Sequence, residues 1–497
     1  MSKRVARDPR AVPKAPPDQA GRTRLETEFA TNLLVEAGAG SGKTESLARR
    51  MAAGVAAGHY EIDHLAAVTF TRKAAAELRA RFLQKLEERR EQATAVEGER
   101  LQAAIDGIER FFAGTIHSFC GRMLRERPVD ARMAPGFEEL DDVADAHART
   151  RAWHDYVAQG RANAALLDVL ESGLKPSELA DAFRIVCEHG DVAFPAPAVM
   201  LPDAGPVWEA LDRFWDALDE DLPRPIDPKT TCEVQKLART YPGMRRGARR
   251  HRVADLVGLL QEWARTKKIT LKWWGNGQSR GNAGADKVRA LHDRFLGETV
   301  GPFLATWRAH LYALVVRALT EARAHYAADR RQRNLVNFGD LLVEATRLVR
   351  EVPQVRRALQ RKFRHVFVDE FQDTDPVQAE LFLWLASDPD ASPGDSAWTV
   401  PLRPGALFLV GDPKQSIYRF RRADIEVYES VRQRLLASGG GVVALTTNFR
   451  ARPELCDFVN TACAGAFPAE ATAHASAPDS RPARPLPPRS RRQSTSR

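Results

Sequence analysis

The sequence predicts an α/β fold: a parallel sheet bearing a phosphate-binding loop, interrupted by a large α-helical insertion and followed by a disordered C-terminal tail. Three observations predict it. Short apolar runs alternate with helical periodicity in the first and last thirds of the 497-residue chain, the pattern of successive βαβ units. A Gly-rich segment falls between one such run and a helix, where a phosphate loop belongs. Between residues 143 and 330 the alternation gives way to helical patterning throughout.

Taken in order, residues 1–17 are rich in Pro and Arg and are expected to be disordered. A helical stretch opens at Gln19 and leads to a strand at 32–35, the Gly-rich loop, and a helix through Leu47 and Met51. The pattern repeats with a strand at 66–70 and a helix at 73–86, and a short strand is expected at 114–116. Within the insertion, Leu304, Trp307, Leu311, Val315, Ala318, Ala322 and Tyr326 step by three and four, forming one apolar stripe. Strands resume at 366–368, 407–410 and 442–445. From 468 onward Ala, Pro, Ser and Arg dominate without apolar periodicity, so no packed structure is expected. The expected parts are an arm (1–17), a sheet domain in two segments (18–142 and 331–467), the insertion (143–330) and a tail (468–497).

Composition narrows the function classes. Apolar residues at 44% and charged residues at 28% are a globular balance. Five scattered cysteines without CxxC pairing argue against a disulfide framework or zinc ribbon and fit a reducing compartment. No apolar run approaches the roughly 18 residues of a membrane span. The basic N-terminus lacks an apolar core, so a cytoplasmic location is expected. The net charge of +9 is concentrated at the ends: residues 471–497 hold six Arg against one Asp, and residues 1–30 hold seven Lys/Arg against four Asp/Glu. The body is therefore nearly neutral, and any nucleic-acid binding must come from local placement of basic groups.

Three segments carry chemistry. The first, AGAGSGKT, comprises Ala37, Gly38, Ala39, Gly40, Ser41, Gly42, Lys43 and Thr44. Its glycines allow backbone N–H groups to converge on anionic oxygens, and the following helix N-terminus adds partial positive charge. Lys43 reaches toward β- and γ-phosphates and Thr44 toward Mg²⁺. Ala37 stands where the GxxxxGK[ST] pattern has its first Gly. The second, HVFVDEFQD at 365–373, is a buried strand ending in acids. Asp369 suits Mg²⁺ held largely through water, and Glu370 suits an attacking water. The third, LFLVGDPKQSIYRFRRAD at 407–424, is a strand followed by a basic, aromatic loop. Gln415 is placed to sense a γ-phosphate. Tyr418 and Phe420 offer stacking faces or, alternatively, pack in a core, while Arg419, Arg421 and Arg422 suit phosphate contacts. Arg450, just beyond the 442–445 strand, suits either a transferring phosphoryl group or a surface ion pair. The pair Trp273–Trp274 in a basic stretch reads as packing inside the insertion more than as a DNA-facing loop.

These segments in this order resemble the UvrD/Rep/RecB group of superfamily-one DNA helicases, over 18–125 and 335–460. VGDPKQSIYRFRRAD is most similar to the AddA/RecB branch, the motor subunits of recombination helicase–nucleases. TFTRKAAAELRAR (69–81), GTIHSFC (114–120), NFGDLL (337–342) and LTTNFRARPEL (445–455) complete the set. The resemblance implies a RecA-like motor domain and an ATP- and Mg²⁺-dependent 3′→5′ helicase in DNA recombination or repair. It implies single-stranded and duplex-junction DNA as ligand, and a nuclease/helicase partner subunit of AddB/RecC type. It also implies roles. Gln19 reads adenine and Phe449 lies beside it. Thr69, Phe70, Arg72, Thr115 and His117 grip single-stranded DNA, although His117 equally suits a helix cap. Gln415 couples nucleotide to DNA; Tyr418, Phe420 and Arg421 stack on bases or hold the backbone; Arg450 stabilises the γ-phosphate. Glu45 lines the nucleotide where many members carry a basic residue. The motif set stops before a second RecA-like motor, so the chain is expected to be the N-terminal half of such an enzyme. The alternative is an ATP- and DNA-binding module without translocation. A compact P-loop kinase fits less well, because Asp369 follows Lys43 by 326 residues.

Overall fold

The computed structural model describes residues 15–463, apart from 196–197, 199, 267, 271–272, 275–281 and 393, together with 484–485. Most of the expected arm and tail therefore lies outside the described residues. The chain divides into two compact units, Met1–Glu139 with Val336–Arg497, and Leu140–Leu335.

In the first unit, six strands form one parallel sheet: β1 (Leu33–Ala37), β2 (Leu65–Thr69), β3 (Phe112–Thr115), β4 (His365–Val368), β5 (Leu407–Gly411) and β6 (Gly441–Leu445). Their spatial order is β3-β2-β4-β5-β1-β6, and every pairing is parallel. Residues of β1, β2 and β5 are buried throughout, because helices cover both faces of such a sheet. The two-residue alternation of a strand sorts their side chains into two cores. Leu34, Val68, Val366, Val368 and Leu409 join one; Leu33, Val35, Ala67, Phe367 and Val410 join the other. Helices α1 (Gln19–Thr27), α2 (Lys43–Ala56) and α3 (Arg72–Arg90) bring Leu25, Leu47, Met51, Leu78 and Phe82 to the second core. Helices α4 (Ile116–Glu126), α5 (Phe338–Glu351) and α6 (Ile425–Ala437) bring Phe119, Met123, Leu341, Leu348 and Val431 to the first. Since all strands run one way, their C-terminal ends share one edge, where ligands bind in open α/β sheets.

The boundaries of β1 and β3 differ from the sequence expectation for a hydrogen-bonding reason, and the other strands shift by one residue at one or both ends. β1 continues to Ala37, whose register partner is Leu445 on β6, so Ala37 is buried strand rather than loop. The strand expected at 114–116 occupies Phe112–Thr115 instead. There the Thr115 hydroxyl accepts from the Ser118 amide and starts α4 at Ile116. Thr115, not His117, is the helix cap.

Among the described residues of the second unit, the regular structure between Asp142 and Gln332 is a series of helices. Its helix Gly301–Gln332 carries the expected apolar stripe, but the stripe serves two cores. Leu304 and Trp307 pack with Trp208, Phe214, Trp263 and Tyr241. Ala318, Ala322 and Tyr326 pack with Trp153, Tyr156 and Phe183. Trp274 is buried and donates to Cys232 Sγ at 3.3 Å; Trp273 donates to Thr231 Oγ1 at 3.0 Å. Both tryptophans thus pack within the unit. No helix among the described residues is long and apolar enough to cross a membrane.

Candidate nucleotide site and aromatic groove

β1 delivers the chain into residues 38–42, where Gly40 and Gly42 have φ of 77° and 87°, a region that disfavours any residue with a Cβ. A Cβ on Gly40 would also come within 2.6 Å of Asn448 Oδ1. The Ser41 amide and hydroxyl both donate to Gly38 O, at 3.2 and 2.7 Å, which closes the turn. Gly42 immediately precedes α2, so the unpaired first amides of that helix open onto the loop.

The acids come from β4, two strands away. Lys43 Nζ lies 3.2 Å from Glu370 Oε2, and Thr44 Oγ1 donates to Asp369 Oδ2 at 3.2 Å. The helical unit is therefore spliced into the chain without parting the two motifs. Glu370 adopts a left-handed conformation with φ of 55°, costly for a residue other than Gly and concentrated at functional turns. Burial, with Glu370 alongside, pushes the Asp369 carboxyl up to about 6. The same two causes push Asp373 up to about 6. Asp373 Oδ1 and Thr69 Oγ1 are buried with no hydrogen-bond partner.

A hydrogen-bonded path leaves this cleft. Gln372 Nε2 donates to Glu370 Oε2 at 2.8 Å. Gln372 Oε1 accepts from the Asp412 amide at 2.9 Å. Asp412 Oδ2 accepts from Gln415 Nε2 at 2.6 Å. The Ser416 hydroxyl donates back to Gln372 O at 3.1 Å. Gln372 is only 2% exposed, so water competes little for these bonds.

Beyond Gln415 the loop presents aromatic rings. Tyr418 lies 5.2 Å from the ring of Phe70 and 5.6 Å from that of Phe420. Phe420 is 79% exposed, which rules out a core role for it. Phe70, Arg72, Thr115 and His117 line one cleft of about 520 Å³ with Arg122, Arg125 and Phe338. His117 lies ring to ring with Phe338 at 5.0 Å. Thr69 stands apart from this surface. It is buried and lines a cavity of about 20 Å³ with Asp369, Glu370 and Asp373. The Arg421 side chain lies outside the described residues.

A third group arrives after β6. The Phe449 amide donates to Gly40 O at 2.8 Å, and Arg450 Cβ would stand 2.8 Å from a Cβ on Gly40. Both side chains are exposed. Gln19 opens α1, also exposed. Glu45 is engaged elsewhere: its carboxylate meets Arg49 at 2.9 Å and Lys85 of α3 at 3.0 Å.

The pattern of the UvrD/REP helicase N-terminal domain matches residues 18–435. The chain belongs to that family. It is 27% identical to an ATP-dependent helicase/nuclease subunit of Geobacillus thermodenitrificans, over 86% of this chain and 38% of the relative. It is 25% identical to the protein of the same description from Limosilactobacillus fermentum, over 86% and 36%. It is 25% identical to the exonuclease/helicase subunit RexA of Streptococcus pneumoniae serotype 4, over 87% and 38%. The chain thus spans little more than a third of the length of these relatives.

Within this UvrD/REP-type domain, sequence reasoning missed three side chains. Gln372 lies inside the quoted acidic motif, yet nothing local marks its amide as the junction between two strand ends. Asp18 and Arg22 flank Gln19. Their spacing of four within a helical stretch was a legible signal for an ion pair, but not for what the pair touches.

Proposed function

We propose that this chain is the first, RecA-like motor domain of an ATP-driven DNA helicase of 3′→5′ polarity. Its work is in DNA recombination or repair, in the cytoplasm, and its partner is a nuclease/helicase protein of a shared complex. One observation carries the reading: the unbroken hydrogen-bond path from Lys43 through Glu370, Gln372 and Asp412 to Gln415, whose loop holds Tyr418 against Phe70. A change at the phosphate loop is thereby felt at an aromatic surface suited to nucleic acid. The polarity and the cellular role rest on family resemblance, and the partner on the relatives' description as subunits.

The residues suit ATP with Mg²⁺. Three carboxyl groups (Asp369, Glu370 and Asp373) crowd near one lysine, and two of them are pushed toward protonation. Such a surplus of negative charge fits a divalent cation. Thr44 and Asp369 would hold it, and when bound it offsets charge on phosphate oxygens. The loop amides from Gly40 to Thr44 cradle the triphosphate. Lys43, exchanging Glu370 for phosphate oxygens, frees that carboxylate to orient the attacking water. Arg450 offsets charge on the transferred group. Gln415 passes the change to Tyr418. Phe70, Arg72, Thr115, His117, Tyr418 and Phe420 hold a single strand by stacking and phosphate contacts.

The test is ATP turnover with and without single-stranded DNA, beside separate affinities for each ligand. Turnover stimulated by DNA is expected, and any strand displacement is expected beside a 3′ tail. Displacement from 5′ tails alone overturns the polarity. Negligible turnover with both ligands bound replaces the motor by a binding module. Phosphorylation of a small acceptor, indifferent to DNA, sinks both.

A further inference from the structure

Asp18 and Arg22 are built into the nucleotide edge more firmly than a surface ion pair would be. Asp18 is 8% exposed. It accepts from Arg22 Nε and Nη2, each at 2.9 Å, and from the amides of Thr446 and Thr447, both at 2.9 Å. Burial alone would raise its carboxyl, but these partners bring it below the ordinary value. The same Arg22 Nη2 donates to Ser41 O in the phosphate loop at 3.0 Å. The guanidinium carbon lies 4.9 Å from the centre of the Phe449 ring. Phe449 is itself tied to the loop through its amide and Gly40 O, and its ring is 48% exposed. At the far end of α1, the buried Arg50 donates to Leu25 O and Glu28 O, so the helix that carries the pair is anchored at both ends.

We infer that Asp18 and Arg22 are a positioning pair that braces Phe449 as the stacking platform for the nucleobase and fixes its distance from the phosphate loop. The inference rests on the nucleotide reading above and adds to it the residues that hold the base end. Arg22 touches the platform and the loop with one planar group. A guanidinium is suited to this, since it can be gripped through its edge by a carboxylate while its face lies on a ring. Glu45 is an anion and supplies no cation here; its carboxylate is held by Arg49 and Lys85. Arg22 supplies the positive charge from α1 instead.

The experiment compares ATP with inorganic tripolyphosphate, which has the phosphates and no base, by calorimetric titration of the full chain with Mg²⁺. Arg22→Ala should weaken ATP about tenfold, the range of a well-placed cation–ring contact, and leave tripolyphosphate unchanged. Phe449→Ala, at an exposed position, should give the same selective loss. The double variant should lose no more than the larger single loss. Arg22→Lys keeps a charge beside Asp18 and loses the flat face, so it too should lose ATP selectively; full ATP affinity in that variant overturns the bracing role. Equal losses for both ligands, or additive losses in the double variant, also overturn it. The nucleotide reading is checked separately by Lys43→Ala, which should weaken both ligands. If Lys43→Ala binds both as the parent does, that reading falls whatever Arg22 shows.

Discussion

The two ends of the path from Lys43 to Tyr418 are built in opposite ways. At the phosphate end, polar side chains are paired and at least partly buried: Lys43 with Glu370, Thr44 with the buried Asp369, the buried Gln372 with Glu370 and the Asp412 amide. At the aromatic end, ring faces lie near the surface, with Phe420 largely open and Tyr418 set between it and Phe70. The difference teaches what each end is suited to hold. Fixed dipoles and charges at set distances suit a ligand of one shape and charge, such as a triphosphate. Flat apolar faces suit a strand whose bases change, because every base has a face to stack.

This comparison can be broken at either end. The largest effect is expected from Lys43→Ala, which should lower ATP turnover by about a hundredfold or more, read as phosphate release at saturating DNA. Unchanged turnover would remove the phosphate loop from the chemistry. Next, Tyr418→Ala together with Phe420→Ala should weaken single-strand binding by roughly 1–3 kcal/mol per lost stack, measured by fluorescence anisotropy, with ATP affinity retained. Equal loss of both affinities would mean that the two ends are not separate devices.

The middle of the path sharpens the comparison. Gln372→Leu should leave each ligand's affinity within about threefold while DNA stimulation of turnover falls about tenfold, the size of a typical coupling energy. A variant that keeps full stimulation would show that the ends communicate by another route. The smallest effect concerns the opposite edge of the sheet. His365 begins β4 and its Nδ1 lies 2.8 Å from Gly405 O. Burial, with Arg403, Arg50 and Arg364 nearby, pushes its imidazole down to about 4. The unfolded chain therefore takes up a proton near pH 6.5 that the folded chain refuses until about pH 4. The stability from this group is complete above pH 6.5 and is lost as pH falls toward 4. Relative to His365→Asn, the parent should lose on the order of 1–2 kcal/mol between pH 7 and pH 5, read from denaturant midpoints. Parallel pH curves would discard the assignment.

The sequence by itself determined the local parts of this domain. AGAGSGKT needs no partner to form its turn, since Gly40 and Gly42 accept positive φ wherever they stand. The apolar runs that became β1, β2 and β5 were legible because both faces of a parallel sheet are dry, and the acids of VFVDEFQD were legible because they end such a run. Only the tertiary structure decided which strands are neighbours. Strand order is set by ladders between residues hundreds of positions apart, such as Leu34 with Leu409 and Val68 with Val368, and period-two patterning carries no record of the partner. The meeting of Lys43 and Glu370 was expected from the motif set, but the finer consequences of that order were invisible locally: the joining of two strand ends by Gln372, the withdrawal of Thr69 behind Phe70, and the seating of Arg22 between Ser41 and Phe449. The apolar stripe of helix Gly301–Gln332 carries the same lesson. Its spacing required burial, but the placement of Trp307 in one core and Tyr326 in another was decided by the helices packed against it.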